Sequence, residues 1–159
     1  MTISLLYGKG TIDIFPPEGC LPTVIRKEAL PLLSNPAGSI EEAFNHPVSV
    51  PPLGELARGA RSACILICDI TRPVPNGLFL GPLIRRLLDA GIPAAGITVL
   101  VATGLHRPNE GDELSELVGD PWVLETVKVI NHDARDDAAH ELLGYTPRGT
   151  VVRLNRRLM

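Results

Sequence analysis

The sequence predicts an α/β fold with an open, mainly parallel sheet, helices on both faces of that sheet, and an N-terminal β-hairpin. Two short apolar runs, 63–68 and 96–101, flank one amphipathic helical segment, which is the pattern of a strand–helix–strand unit. The crossover of such a unit is right-handed and its strands are parallel. Two β-prone runs on either side of Gly8-Lys9-Gly10 predict the hairpin.

Composition indicates a folded domain and excludes several classes of partner. The chain has 159 residues, of which 45% are hydrophobic and 21% charged, so we expect one globular domain over residues 1–159. A net charge of −3 without a long basic block argues against nucleic acid. No signal-peptide pattern and no apolar run of about 18 or more residues is present, so we expect a cytoplasmic protein that does not bind a membrane. The three cysteines are expected to be buried and reduced: Cys20, Cys64 and Cys68.

The N-terminal elements follow from turn and capping signals. Residues 3–7 and 11–15 are the two hairpin strands. Ser39 is predicted to cap a short helix, with Glu42 completing a capping box. Residues 53–58 form a second short helix.

The central elements carry the strongest patterns. The continuous apolar run 63–68 predicts a strand buried on both faces. Asn76 is predicted to cap a helix over 78–90, in which apolar residues recur at three-and-four spacing, and Gly91 ends it. The second core strand, 96–101, follows.

The C-terminal third is predicted to continue the alternation of helices and strands. A helix over 110–118 precedes a third strand at 127–130. A short helix over 136–143 is expected to end at Gly144, and 150–154 is the final strand.

Polar side chains follow each of the three core strands. The carboxyl ends of parallel strands meet at one edge of an open sheet, and ligands of α/β proteins bind there. We therefore expect these residues to converge, most securely those of the first two loops. They are Asp69, Thr71 and Arg72 after the first strand, Thr103, Gly104, His106 and Arg107 after the second, and His132 and Asp133 after the third.

These side chains suit the binding of a small anion next to a proton-transfer group. The guanidinium of Arg72 offers a planar fork of donors for a carboxylate or phosphate. Asp69 could orient that fork or accept a hydroxyl proton. His106 can accept or donate a proton near neutral pH, and Gly104 lets backbone and ligand approach closely.

Other interpretations of the same residues stay open. Asp69 could be a helix cap followed by an exposed Arg72, and His106 could be a surface histidine. Arg107 could be solvated, and His132-Asp133 could be a local turn pair. Motifs of the P-loop, GxGxxG, HExxH and GxSxG types are absent, and no histidine pair has metal-ligand spacing, so no self-contained metal site is expected.

Two motifs together resemble a known family. The segments 69–75 (DITRPVP) and 102–107 (ATGLHR) look like the two leading motifs of the nickel-dependent lactate racemase family. Asn131-His132-Asp133 and the stretch 143–152 also resemble the N-terminal domain of that family. The resemblance spans essentially the whole chain and implies an α/β domain that forms one wall of an interdomain active site.

The resemblance also implies an activity and roles for individual residues. Family members bind a nickel pincer nucleotide, which accepts hydride from the α-carbon of a 2-hydroxy acid and returns it to either face. His106 would be one of two catalytic histidines, and Arg72 and Asp69 would bind the anionic substrate. The residues expected beside the cofactor are Asp69, Thr71, Thr103 and Gly104.

The chain departs from the family pattern in one respect. The PH…GFSGGxK-type segment, which supplies the second histidine and the cofactor-anchoring lysine, is absent, as are the later nickel-binding histidine and the C-terminal domain. One hypothesis is therefore the N-terminal part of a lactate racemase-like isomerase that works with a C-terminal domain or subunit. A second hypothesis is a truncated, non-catalytic module that binds an anionic ligand, and a third is a fragment with no independent role.

Overall fold

The computed structural model describes residues 2–159, in two compact units that divide after Leu32. The first unit contains an antiparallel hairpin of β1 (Ile3–Tyr7) and β2 (Gly10–Ile14), joined by a two-residue turn in which Gly8 has a φ of 55°. The predicted hairpin is confirmed. That residues 1–159 form a single domain remains a prediction.

The second unit is built on a three-stranded parallel sheet in the order β3-β4-β5. The strands are β3 (Ala63–Cys68), β4 (Ile97–Ala102) and β5 (Lys128–Asn131). Both neighbouring pairs are parallel, so the predicted α/β class and the strand–helix–strand unit are confirmed.

One face of this sheet forms the core with the helices. Alternate strand residues point to opposite faces, and the face that includes Ile67, Val99 and Val101 belongs to the buried cluster. The helices are α1 (Pro36–Asn45), α2 (Leu53–Leu56), α3 (Asn76–Asp89), α4 (Gly111–Val118) and α5 (Pro121–Thr126). Their main contributions to that cluster are Leu80, Ile84, Leu87, Leu117, Val118 and Val123. None of these helices is long and apolar enough to cross a membrane, among the residues described.

On the opposite face the expected helices are replaced by an antiparallel ribbon of β6 (His140–Tyr145) and β7 (Val151–Asn155). Leu66 and Leu100 from the sheet and Leu154 from the ribbon line a common cavity there. Leu100 of the central strand is 2% exposed, whereas Leu66 of the edge strand β3 is 52% exposed. A continuous apolar run does not tell an edge strand from a central one, so the prediction that β3 is buried on both faces is wrong.

The expectation of buried cysteines is wrong for two of the three thiols. All three are free, but Cys20 and Cys68 are exposed and only Cys64 is half-buried. Cys68 is exposed because it lies on the open edge strand β3, at its carboxyl end.

The helix predicted over 136–143 is also wrong. A 3₁₀ turn at Asp137–Ala139 is followed by β6, whose backbone pairs with β7. Gly144, expected to end that helix, instead lies at an irregularity of the ladder with a φ of 141°. Pairing with the next strand, β7, overrides the weak local helical pattern.

Two predicted caps have different partners in the structure. Asn35, not Ser39, caps α1, since its Oδ1 accepts a 3.0 Å hydrogen bond from the Gly38 amide. Asn76 begins α3 but does not cap it: its side chain is buried and its Nδ2 donates to the carbonyl of Leu117 at 2.9 Å. Buried Asn76 therefore links α3 to α4.

Close packing of two glycines brings the start of α3 against the end of α4. A Cβ added at Gly77 would lie 2.7 Å from the carbonyl oxygen of Gly119. Gly119 ends α4 in the left-handed conformation, with a φ of 68°. Neither position has room for a larger side chain without movement of the backbone.

We expect Gly77→Ala to destabilise the protein by about 1–3 kcal/mol, because overpacking against backbone outweighs the better helix propensity of alanine. Urea denaturation measures the change. The matched control is Gly54→Ala in α2, where nothing lies within 4 Å of the added Cβ; it should be neutral or stabilising by up to about 1 kcal/mol. Equal stability of the two variants would contradict the close contact.

Candidate functional site

The candidate site lies where β3 and β4 end. Cys68 and Ala102 are partners in the parallel register, so the loops that follow them leave the sheet side by side. Asp69 begins the first loop and His106 lies in the second, and Nδ1 of His106 is hydrogen-bonded to Oδ2 of Asp69. The first two predicted loops therefore do converge on one edge of the sheet.

A tight turn presents His106. The His106 amide donates to the carbonyl of Thr103 at 3.0 Å, and Gly104 within this turn has a φ of 58°, which favours glycine. No atom of residues 2–159 lies within 4 Å of a Cβ added at Gly104, so this part of the chain leaves the space above the turn open. The Thr103 side chain is buried and its hydroxyl donates to the carbonyl of His132 at 2.5 Å, which ties the turn to the end of β5.

The Asp69 carboxylate is buried but fully engaged. Its Oδ1 accepts hydrogen bonds from the Thr71 hydroxyl at 2.6 Å and the Thr71 amide at 3.3 Å. The hydrogen bond from Thr71, and secondarily that from His106, hold the pKa of Asp69 below its ordinary value although burial acts in the opposite direction. Asp69 is thus an ionised carboxylate at 5% exposure.

An ionised Asp69 determines which nitrogen of His106 carries a proton. A carboxylate only accepts hydrogen bonds, so Nδ1 of His106 must be the donor. The His106 side chain is 55% exposed, and its Nε2 makes no hydrogen bond to residues 2–159. The ring is therefore held at one nitrogen and available at the other.

The two arginines of these loops differ in availability. Arg107 makes a two-pronged pair with Glu113, at 2.6 and 2.7 Å, so its charge is neutralised. Arg72 is exposed, donates from Nη1 to the Thr71 hydroxyl at 3.3 Å, and forms no ion pair with any carboxylate in the described part of the chain. Arg72 is the guanidinium left for an external anion.

The third loop contributes differently from the first two. The His132 ring does not face His106: its Nδ1 lies 3.0 Å from Nδ2 of Asn155, and the ring packs edge-on against His140 at 5.1 Å. Together these rings line a cavity of about 200 Å³ on the ribbon side of the sheet. Asp133 accepts from the Arg135 amide at 2.9 Å, as the local-turn interpretation expects.

Two residues of the site were missed in the sequence, Asn109 and Asn131. Asn109 is 2% exposed and hydrogen-bonds to the loop after β3, to α4 and to Asn131 at the end of β5. Asn131 belongs to the Asn131-His132-Asp133 motif, which by itself predicts no separate role for it. An asparagine in a loop next to proline usually indicates a turn, so no local signal distinguishes a buried bridging amide.

The site offers hydrogen-bond donors, a cation and an imidazole. Within residues 2–159, no three His, Cys, Asp or Glu side chains are grouped so that they could hold a metal ion. The arrangement can bind an anion at Arg72 and exchange a proton at His106.

The fold and these residues define an α/β domain with an acid–base and anion-binding site at the carboxyl edge of a parallel sheet. Residues 7–159 match the family model of the lactate racemase N-terminal domain, and the chain belongs to that family.

Two lactate racemases are similar in sequence to this chain over part of their own length. It is 34% identical over 118 residues to a lactate racemase of Lactiplantibacillus plantarum, covering 74% of this chain and 27% of that protein. It is 28% identical over 156 residues to a lactate racemase of Thermoanaerobacterium thermosaccharolyticum, covering 97% of this chain and 36% of the relative. The chain therefore spans only about a third or less of the relatives it matches.

Solved structures agree with this assignment. The lactate racemase apoprotein of Thermoanaerobacterium thermosaccharolyticum superposes with a TM-score of 0.78 at 26% identity, over 99% of this chain and 36% of that one. A protein from Thermotoga maritima superposes with a TM-score of 0.61 at 22% identity, over 80% of this chain and 32% of that one, and supports the fold alone.

The Arg107–Glu113 pair generates a pH prediction. Hydrogen bonds from Arg107 and then Asn109 lower the pKa of Glu113 to about 2. A carboxylate with a lowered pKa stabilises the fold above its unfolded pKa and loses that contribution as the pH falls toward the folded value. The urea midpoints of wild type and Glu113→Gln should therefore differ most above about pH 5 and converge between about pH 4.5 and pH 2.

Arg107→Gln provides the control for this pH prediction. In a double-mutant cycle, the coupling between Arg107 and Glu113 should be present at neutral pH and fade as Glu113 is protonated. If the coupling energy stays constant down to the lowest pH at which the protein is folded, Arg107 does not lower the pKa of Glu113.

Proposed function

We propose that this chain is the N-terminal part of a lactate racemase-like isomerase, which racemises or epimerises a 2-hydroxy acid. Membership of the lactate racemase N-terminal domain family supports the proposal. The observation that carries it is the hydrogen bond between buried Asp69 and exposed His106, beside Arg72, which has no carboxylate partner among residues 2–159. A base for a hydroxyl and a cation for a carboxylate are the two groups that such a substrate requires.

His106 exchanges the proton of the substrate hydroxyl. Asp69 accepts from Nδ1 and so leaves the Nε2 lone pair to take that proton, as oriented histidines do in other acid–base sites. The buried carboxylate then stabilises the imidazolium until the proton is returned. Asp69 acts mainly through His106, since both its oxygens are already engaged; its direct contact with substrate or cofactor remains a prediction.

Arg72 binds the substrate carboxylate. Three hydrogen bonds run in series from Arg72 through Thr71 and Asp69 to His106. This series keeps the anion-binding group and the proton-transfer group in one site, so that a single small hydroxy acid can engage both.

The residues at this edge fit the organic part of a nickel pincer nucleotide and not its metal. Thr71 and Gly104 are exposed and could border an anionic cofactor, whereas Asp69 and Thr103 are buried and would act by shaping the loops. When bound, such a cofactor supplies the hydride acceptor for the α-carbon. Nickel ligands and the covalent anchor are expected from a C-terminal domain or subunit, since the described residues contain no metal-holding group.

The alternative function is a binding module that holds an anion without chemistry. The unpaired Arg72 favours it, because a guanidinium alone is enough to bind a carboxylate. The two functions differ in the role of His106, which exchanges a proton with the substrate in the isomerase and has no chemical role in the binding module.

We expect His106→Asn to lower racemisation of D- or L-lactate by about 10²-fold or more, the usual cost of losing a general acid–base group, with little change in KM. The assay uses the chain joined to the remaining two-thirds of a lactate racemase and loaded with cofactor, and follows the enantiomers by chiral chromatography. His46→Asn, exposed at the end of α1, is the control and should keep full turnover. Undiminished turnover by His106→Asn would remove His106 from the mechanism, and an inactive wild type would favour the binding module.

We expect Arg72→Lys to weaken binding of lactate to this chain by about 10-fold or more, because an ammonium cannot replace the two-pronged contact. Titration with L-lactate, followed by amide chemical shifts of the loop after β3, measures the Kd. Arg148→Lys in the turn between β6 and β7 is the control and should bind as wild type does. An unchanged Kd for Arg72→Lys would make Arg72 structural.

A further inference from the structure

We propose that Asn109 and Asn131 are positioning residues, which hold the loop of Asp69 and the loop of His106 in the placement that their hydrogen bond requires. We call this pair the asparagine bracket. The expected effect of the asparagine bracket on catalysis rests on the proposed function, whereas its effect on the placement of the His106 ring does not.

The first half of the asparagine bracket fixes the backbone of Asn109. Nδ2 of Asn131 donates to the Asn109 carbonyl at 2.9 Å, and the Asn109 amide donates to Oδ1 of Asn131 at 2.9 Å. Asn131 is the last residue of β5 and is paired in the sheet with Val101 of β4. The segment after His106 is therefore fastened to the rigid end of a strand.

The second half reaches across to the other loop. Oδ1 of Asn109 accepts from the amide of Ile70 at 3.3 Å, and Nδ2 of Asn109 donates to Glu113 in α4 at 2.9 Å. Ile70 follows Asp69 directly in the chain. The buried amide of Asn109 thus uses its acceptor and a donor to join three elements.

Beyond the paired ends of β3 and β4, few hydrogen bonds join these loops to each other. Only two hydrogen bonds connect residues 69–75 with residues 103–110 in the described structure. One is the Asp69–His106 bond itself, and the other is the bond from Ile70 to Asn109. The His106 side chain is 55% exposed whereas Asn109 is 2% exposed, so the bond from Ile70 to Asn109 is the better shielded of the two and is the one assigned to keep Asp69 opposite His106.

Loss of the bracket should therefore release His106 without unfolding the core. Without Asn109 the Ile70 amide loses its acceptor, and without Asn131 the backbone of Asn109 loses both partners. In either case the Asp69 carboxylate no longer faces Nδ1, and the ring is free to adopt its other tautomer.

The test is the tautomer of His106 in this chain, measured by long-range proton–nitrogen NMR of isotope-labelled histidine. His106→Asn assigns the signal among the four histidines. Wild type should show the Nδ1–H form, and Asn109→Ala and Asn131→Ala should shift His106 to a mixture dominated by Nε2–H. The Nδ1–H form retained in both variants would overturn the proposal.

Two further variants separate positioning from general stability. Asn76→Ala removes an asparagine that is equally buried but bonds to Leu117 instead, so it should destabilise the protein and leave the His106 signal unchanged. Asn109→Asp alone would place a second carboxylate against Glu113, so it is made together with Glu113→Gln, which restores a donor–acceptor pair there. This double variant keeps an acceptor for the Ile70 amide and should retain the Nδ1–H form, and it replaces Asn109→Ala as the test if Asn109→Ala does not fold. A changed tautomer in Asn76→Ala, or loss of the Nδ1–H form in the double variant, would overturn the specific role of the bracket.

In the cofactor-loaded longer form, Asn109→Ala should lower kcat by about 10-fold to 100-fold with little change in KM, the size expected of a misplaced catalytic group. The NMR result does not depend on racemisation. If the longer form does not racemise lactate but the variants change the His106 tautomer as expected, the proposed function is rejected and the asparagine bracket is retained. If the longer form racemises lactate but the variants leave the tautomer unchanged, only the asparagine bracket is rejected.

Discussion

The burial of an ionised carboxylate governs the structure of this site. A charge at 5% exposure is costly unless it is hydrogen-bonded, and Asp69 has its partners in Thr71 on the same loop and His106 on the neighbouring one. Satisfying Asp69 therefore requires the two loops to meet. The parallel register of β3 and β4 makes this possible, because it brings both strands to an end at the same level.

Contacts with α3, α4 and β5 constrain the positions of these loops. Below them, the Gly77–Gly119 contact and the buried amide of Asn76 hold α3 against α4. Beside them, Asn109 and Asn131 connect the loops to the end of β5. Since Arg107 is neutralised by Glu113, the positive charge presented by the two loops is that of Arg72. The site is thus held by hydrogen bonds where it orients His106, and it is exposed at Arg72 and at the His106 ring.

This arrangement suits one part of a divided active site. The chain belongs to the lactate racemase N-terminal domain family and spans 27–36% of the curated relatives. Its residues can orient a proton-transfer group and bind an anion, whereas the groups expected to hold nickel are not among those described. The proposed racemisation therefore assigns substrate orientation and proton exchange to this domain and hydride chemistry to a cofactor held largely elsewhere.

Local sequence patterns were sufficient to predict the secondary-structure elements of the central part of the fold. The apolar runs, the amphipathic α3 and the glycines of the first hairpin predict the elements that the structure contains, because each pattern expresses a short-range preference of the backbone. The predicted convergence of Asp69 and His106 followed from the same parallel topology. The helix α5 is not among the predicted elements, although Asp120 and Pro121 carry capping signals for it.

Tertiary structure alone decided the features that depend on distant partners. Residues 140–145 form a strand because β7 supplies their backbone hydrogen bonds, and β3 is half-exposed because, among the described residues, it pairs with a strand only on its β4 side. Asn109 bridges two loops because residues 39 and 22 positions away come within hydrogen-bond distance. The sequence by itself determined which side chains could do acid–base chemistry and bind an anion. Folding decided that His106 is oriented by Asp69, that Arg107 is neutralised by Glu113 and that Arg72 has no such partner in the described part of the chain. These differences arise only when separate segments meet, because hydrogen bonds and burial depend on that contact.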